Sequence, residues 1–237
     1  RALIRASRGS HIIVSLERFG GKTGMFIPKT EDGRVLFCIP WHGVLEIGTT
    51  DVEEKDITFH PEATEAEIEF MLETARGYLD YPIERKDVLA SFSGLRPLFN
   101  PSAGGSTAAV SREHSVIPEF KNMVTVTGGK WTAYRAMAEH AMSVAVDQGL
   151  IYKRPCPTKY MSIYRDEAFD AETIEEAAFR GELEEEKLLA FARHCRDNAF
   201  AVYPEDVLYR RLRIGQMSTK RTEELLPKIK PVFEQAE

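Results

Sequence analysis

The feature that most restricts the fold is a change of pattern at Lys153-Arg154-Pro155-Cys156-Pro157, where two prolines in three positions interrupt the chain. Ahead of it, β-branched and aromatic runs of strand length alternate with glycines and with two helical stretches. Beyond it, the chain is acidic and carries helical periodicity throughout. The sequence therefore predicts an α+β fold, with an antiparallel-sheet domain over residues 1–152 and a small C-terminal helical bundle over 153–237. A length of 237 residues suffices for one large or two modest domains with a hydrophobic core.

Within the first part, His11–Leu16 is a β-branched run of strand length. Gly24–Pro28 and Val35–Trp41 flank Glu31-Asp32-Gly33, and Asp-Gly is a hairpin signal because glycine accepts the positive φ of such turns. Val44–Gly48 reads as a third antiparallel strand. A helix then opens with a capping box, Thr64 with Glu67, in which each side chain bonds the other's unpaired backbone N–H. Its apolar face is Ile68, Met71, Leu72, Ala75 and Leu79, and Asp80-Tyr81-Pro82 ends it.

Strand patterns resume at Val88–Phe92, Ala108–Val110 and Met123–Val126. Gly128-Gly129 closes the last and opens a helix over Thr132–Asp147, whose apolar side of small residues suits close packing on a sheet. In the tail, helices are predicted over Ala171–Phe179, with Asp170 as N-cap, and over Glu184–Asn198, Pro204–Met217 and Thr219–Gln235.

Composition narrows the function classes. A hydrophobic share of 43% with 29% charged residues suits a globular protein, and a net charge of −6 weighs against a nucleic-acid surface, which needs a basic patch. No nucleic-acid partner is expected. Cys38, Cys156 and Cys195 form no CxxC pair and read as reduced thiols in a cytoplasmic setting. His42, His60, His114, His140 and His194 show no metal-ligand spacing, so no metal is expected. No apolar run approaches the roughly 18 residues of a membrane-spanning helix. The start at Arg1-Ala2-Leu3, without Met or a signal segment, reads as a boundary inside a longer protein.

Three constellations could carry chemistry. In Gly94-Leu95-Arg96-Pro97, the glycine permits a sharp turn and the proline fixes the exit, so Arg96 could present its planar fork to a carboxylate or phosphate. In Ser111-Arg112-Glu113-His114, Arg112 could be a second clamp. Taken singly, each arginine reads as well as a loop ion pair or a solvated side chain. The third is Val124–Arg135, where a β-run ends in Gly128-Gly129 and a helix starts at once. There backbone N–H groups and the helix dipole favour negative charge, and Lys130 adds a point charge. Trp131 occupies the position where a Walker A loop has Ser or Thr, so this is no such loop. His11 begins a strand after Gly9-Ser10, where a lone histidine is ordinarily structural.

Read together and in order, these segments resemble the FAD-dependent glycerol-3-phosphate dehydrogenases and the related α-glycerophosphate oxidases. The series is Arg5-Ala6-Ser7-Arg8-Gly9-Ser10-His11, Ile39-Pro40-Trp41, Ile47-Gly48-Thr49-Thr50-Asp51, Gly94-Leu95-Arg96-Pro97-Leu98, Ser111-Arg112 and Gly128–Arg135. It covers about the first 150 residues closely. The tail matches more loosely, through Glu205–Arg211.

The resemblance implies a flavoprotein that oxidises glycerol 3-phosphate to dihydroxyacetone phosphate with FAD. It implies a substrate pocket lined by His11, Arg96, Arg112 and Lys130, and flavin contacts from Gly128, Gly129, Lys130, Trp131 and Thr132. The strand, turn and helix around Gly128 would close the FAD domain. Quinone or oxygen would be the electron acceptor. Peripheral association with the inner face of the cytoplasmic membrane, and a homodimer, are compatible with it.

Two departures stand out. The G-x-G-x-x-G dinucleotide fingerprint is absent, so this chain alone is expected to be inactive and to hold FAD poorly. Ala133 stands where many relatives have Thr. Another FAD-dependent oxidase of the same superfamily, or a non-catalytic interaction module using the acidic tail, remain alternatives.

Overall fold

The computed structural model of the chain describes residues 4–30, 33–79, 81–99, 113–162 and 169–234. The fold is α+β with antiparallel sheets, as the sequence predicts. The chain divides into two compact units: Arg1–Arg8, Asp51–Thr58 and Leu95–Arg165 in the first, Gly9–Thr50, Phe59–Gly94 and Asp166–Glu237 in the second.

The second unit is built on β1 (Ile4–Ser15), β2 (Met25–Ile27), β3 (Leu36–Trp41) and β4 (Val44–Gly48). Its strand order is β2-β3-β4-β1, all antiparallel, with Ile12 opposite Ile47 and Ile39 opposite Glu46. β1 runs on past the Ile12-Ile13-Val14 core of the predicted strand toward the N-terminus. That run does not alternate because both faces of the sheet are buried. Ile12, Val14, Leu45 and Ile47 pack on one face with Ile68, Met71, Leu72 and Ala75 of α1 (Glu65–Arg76). Ile13, Val44 and Ala90 belong instead to the cluster formed by the C-terminal helices.

α1 carries its capping box as expected, and it ends at Arg76 on Gly77 rather than running on to Leu79. The tail forms α3 (Ala171–Arg180), α4 (Glu185–Asn198), α5 (Pro204–Arg210), α6 (Ile214–Met217) and α7 (Thr219–Glu234). Asp170 caps α3 as predicted. One difference is the helix expected over Pro204–Met217. It breaks at Leu212-Arg213, where Arg213 takes φ 57°. That conformation turns Arg213 Nε onto Glu175 Oε2 at 2.5 Å, while His42 Nδ1 meets Glu175 Oε1 at 2.6 Å. Glu175 is 1% exposed, so one buried carboxylate of α3 holds both the β3–β4 turn and the start of α6.

In the first unit, the start of β1 pairs with β5 (Val52–Glu54), Ala6 opposite Glu54. Arg5 Nη2 meets Glu53 at 2.7 Å, Arg8 pairs with Glu54, and the Ser7 hydroxyl donates to Asp51. β6 (Val88–Phe99) also pairs with β1. β7 (His114–Glu119) and β8 (Met123–Gly128) form a two-stranded hairpin, followed by a 3-10 turn and α2 (Tyr134–Asp147). β7 carries little apolar patterning and was not predicted. The strand predicted at Ala108–Val110 lies outside the described residues.

Among the described residues of Arg1–Arg8, Asp51–Thr58 and Leu95–Arg165, none belongs to either hydrophobic cluster, whereas Val88, Ala90 and Phe92 of β6 lie in the second unit and do. α2 has no fully buried residue, but Met137, Ala141, Val144 and Ala145 of its apolar side are half-buried and the helix packs beside β7 and β8, while Ala136 is exposed. Among the described residues, no helix is long and apolar enough to cross a membrane.

Replacing Glu175 by Gln removes the charge that both His42 and Arg213 face. Urea denaturation is expected to show a loss of about 2–3 kcal/mol, below the full cost of a broken buried pair because Arg213 is partly solvated. A loss under about 0.5 kcal/mol, the range of ordinary surface changes, would remove this clamp from the account.

Candidate functional site

His11 lies in β1 of the second unit, directly opposite Gly48 of β4. Its ring is held from several directions. Phe92 of β6 stacks on it, with centroids 5.1 Å apart and planes 18° from parallel. Glu46 Oε1 stands 3.4 Å from Nε2. Gly48 leaves the space the ring occupies, since a Cβ there would fall 2.1 Å from His11 Cδ2. The glycine is thus required by close approach and not by its φ. Glu46 is partly enclosed, and burial pushes its carboxyl above the usual range.

Immediately behind His11 sits a polar knot. Glu67 of α1 is 5% exposed. Its Oε1 accepts hydrogen bonds from the Thr50 hydroxyl at 2.7 Å and the Ser10 hydroxyl at 2.9 Å. Its Oε2 accepts from the Thr64 N–H and hydroxyl, both at 2.9 Å. The Ser10 N–H donates to Thr50 Oγ1 at 2.9 Å, and the hydroxyls of Ser10 and Ser93 lie 2.7 Å apart. Burial opposes ionisation of Glu67, yet the hydrogen bonds from Thr64, Thr50 and Ser10 outweigh it and bring its carboxyl down to about 2.

The remaining candidates belong to the first unit. Arg96 lies within β6 and is half-buried, so the sharp turn expected at Gly94-Leu95-Arg96-Pro97 is not formed. The segment runs extended through Pro97, and strand geometry rather than a glycine turn sets the arginine's direction. Arg112 lies outside the described residues.

At the end of β8, Gly128 and Gly129 take φ 72° and 85°, as the predicted Gly-rich strand-to-helix turn requires. A Cβ on Gly128 would lie 2.7 Å from the Glu113 carbonyl oxygen, and one on Gly129 2.6 Å from Met137 Sδ. The chain then passes through a 3-10 turn, Trp131–Ala133, before α2 proper starts at Tyr134, two residues later than predicted. Lys130 and Thr132 are exposed, and Trp131, 85% exposed, stacks on Tyr134.

Sequence reasoning singled out His11, Arg96, Arg112 and Lys130 but missed Glu46 and Phe92, and it read Glu67 only as a helix cap. Glu46 carried a faint signal: it is a charged residue in an apolar strand whose neighbours Leu45 and Ile47 are buried.

No family model matches the chain. In sequence it is similar to a mitochondrial glycerol-3-phosphate dehydrogenase of Arabidopsis thaliana, 43% identical over 149 residues, which cover 63% of this chain and 24% of that protein. It is similar to a probable glycerol-3-phosphate dehydrogenase of Encephalitozoon cuniculi, 31% identical over 98% of this chain and 44% of that protein. The human mitochondrial glycerol-3-phosphate dehydrogenase is 34% identical over 75% of this chain and 26% of its own length. The chain spans less than half the length of these relatives. In fold it is similar to the glycerol-3-phosphate dehydrogenase from Bacillus halodurans complexed with FAD, with a TM-score of 0.72 at 19% identity, covering 99% of this chain and 54% of that one.

Glu67→Gln keeps the shape and removes the charge. Stability at neutral pH is expected to fall by about 2–3 kcal/mol. Because the folded-state carboxyl lies below its ordinary 4.5, its contribution is present above that value and is lost as pH falls toward about 2. Urea midpoints measured across that range should fall with pH in the parent chain and change less in the variant; parallel curves would contradict the hydrogen-bond count.

Proposed function

We propose that this chain, a relative in sequence of the glycerol-3-phosphate dehydrogenases, supplies the substrate-binding part of a flavoprotein that oxidises sn-glycerol 3-phosphate to dihydroxyacetone phosphate. The observation that carries the reading is the 31% identity running over 98% of the chain. The local geometry of His11 and of the Gly128–Lys130 turn agrees with it. Residues 1–152 would bring the substrate and flavin contacts, and 153–237 the helical domain.

The residues present fit FAD. The two positive-φ glycines leave the backbone without side chains where a planar ring system could approach, and Lys130, Trp131 and Thr132 stand exposed beside them. Gly128, Gly129, Lys130, Trp131 and Thr132 would hold it. When bound, FAD supplies the acceptor for the two electrons and the hydrogen removed from C2.

The chain's own residues bind and move the proton. The substrate is a small dianion, and Arg96 and Arg112 would clamp its phosphate through paired N–H bonds and so fix C2. His11 would accept the proton of the C2 hydroxyl, as an imidazole poised near working pH can. Lys130 would stabilise negative charge developing on the substrate oxygen, aided by the α2 dipole. Electrons would pass on to a quinone or to oxygen, at the inner face of the cytoplasmic membrane.

Flavin absorbance of the full-length protein tests the reading. Glycerol 3-phosphate is expected to bleach it, and His11→Asn to slow the bleaching about 100-fold or more while the flavin stays bound. A flavin that glycerol 3-phosphate leaves oxidised would overturn the substrate and favour another oxidase of the superfamily. A colourless full-length protein would favour a non-catalytic module.

A further inference from the structure

We propose that Glu46 is a positioning residue for His11: its carboxylate orients the imidazole and raises the basicity of the ring. This inference rests on the proposed role of His11 as proton acceptor, and it adds a residue that the sequence series did not contain.

The geometry is local to one compact unit and consists of facing strands. Glu46 sits on β4 two residues before Gly48, the residue directly opposite His11. Its Oε1 lies 3.4 Å from Nε2, while the Phe92 ring and the bare Cα of Gly48 confine the imidazole plane. A ring stacked 18° from parallel on Phe92 can still flip by 180° about Cβ–Cγ, exchanging Nε2 with Cε1, and the Glu46 carboxylate at Nε2 disfavours that flip. Both side chains are about three-quarters withdrawn from water, at 26% and 21% exposure. Their attraction is therefore screened less than that of a surface pair.

From β4, Glu46 brings a charged side chain to His11. β6 presents the uncharged Phe92, β4 presents Gly48, and β3 presents Ile39 opposite Glu46. Glu67 lies behind His11, on the α1 face of β1, where it accepts from Ser10, Thr50 and Thr64. The burial that pushes the Glu46 carboxyl upward has the same origin as the strength of the pair: few waters compete for either group.

An ionised carboxylate at Nε2 favours the imidazolium over the neutral ring. With Nε2–H facing Glu46, the hydroxyl proton goes to Nδ1 more readily, and the carboxylate stabilises the positive charge of the ring until Nδ1 gives that proton up to solvent. A residue that merely filled space would leave the titration of His11 unchanged.

The test is an NMR titration of the full-length protein labelled at histidine Cε1, with the His11 signal assigned by its loss in His11→Asn. In Glu46→Gln the His11 pKa is expected to fall by about 0.5–1 unit. A shift smaller than about 0.2 unit in a folded variant overturns the proposal, since that corresponds to negligible coupling. Should Glu46→Gln disturb the fold, the reciprocal reading applies. The Glu46 carboxyl signal in His11→Asn is expected to titrate higher than in the parent, and an unmoved signal overturns the proposal. Flavin bleaching is scored separately. Coupled titrations without any effect of His11→Asn on bleaching would leave the pair standing and sink the proton-acceptor role.

Discussion

The second unit depends on a buried carboxylate. Glu67 begins as the third residue of a capping box, a local device that starts α1. The same two oxygens also accept from Ser10 on β1 and from Thr50 after β4, residues 57 and 17 positions away in sequence. A charge so withdrawn from water is tolerable because each oxygen receives two hydrogen bonds. The consequence reaches the candidate site. Ser10 immediately precedes His11 and Thr50 follows two residues after Gly48 on the antiparallel strand, so the knot ties the two chain segments together at one end of the His11–Gly48 pair.

Above that fixed backbone the site is assembled by exclusion. Phe92 closes one side of the imidazole, the absence of a Cβ on Gly48 admits it, and Glu46 faces Nε2. None of these elements performs chemistry by itself. Together they hold the ring in one plane beside a carboxylate, an arrangement that would suit the proton acceptor proposed for His11. The first unit contributes different means. Its paired glycines turn the chain sharply at the end of β8, leaving Lys130 and Trp131 exposed ahead of α2.

Much of this was legible in the sequence where the determinants are local. The Thr64–Glu67 capping box, the Asp170 cap and the Gly128-Gly129 turn all rest on residues within a few positions of each other, and all are found. What was not legible depends on partners distant in the chain. Nothing near Glu67 announces Ser10 or Thr50. Arg213 breaks the helix expected over Pro204–Met217 by taking a left-handed conformation that a bulky residue adopts when a fixed partner holds it, here Glu175 of α3. Gly94 signals a turn by its residue type, but it lies within β6, which pairs with β1, and the segment runs extended. The run Ile12-Ile13-Val14 gave a strand without revealing that one face meets α1 and the other the C-terminal helices.

The most direct test of this account is a carboxyl-detected NMR titration of Glu67 in the folded protein. If the four hydrogen bonds hold a buried carboxylate in place behind His11, Glu67 should stay ionised through the acid range and titrate at about 2. Titration near the ordinary 4.5 would mean that Ser10, Thr50 and Thr64 do not converge on it, and the seat described for His11 would lose its foundation.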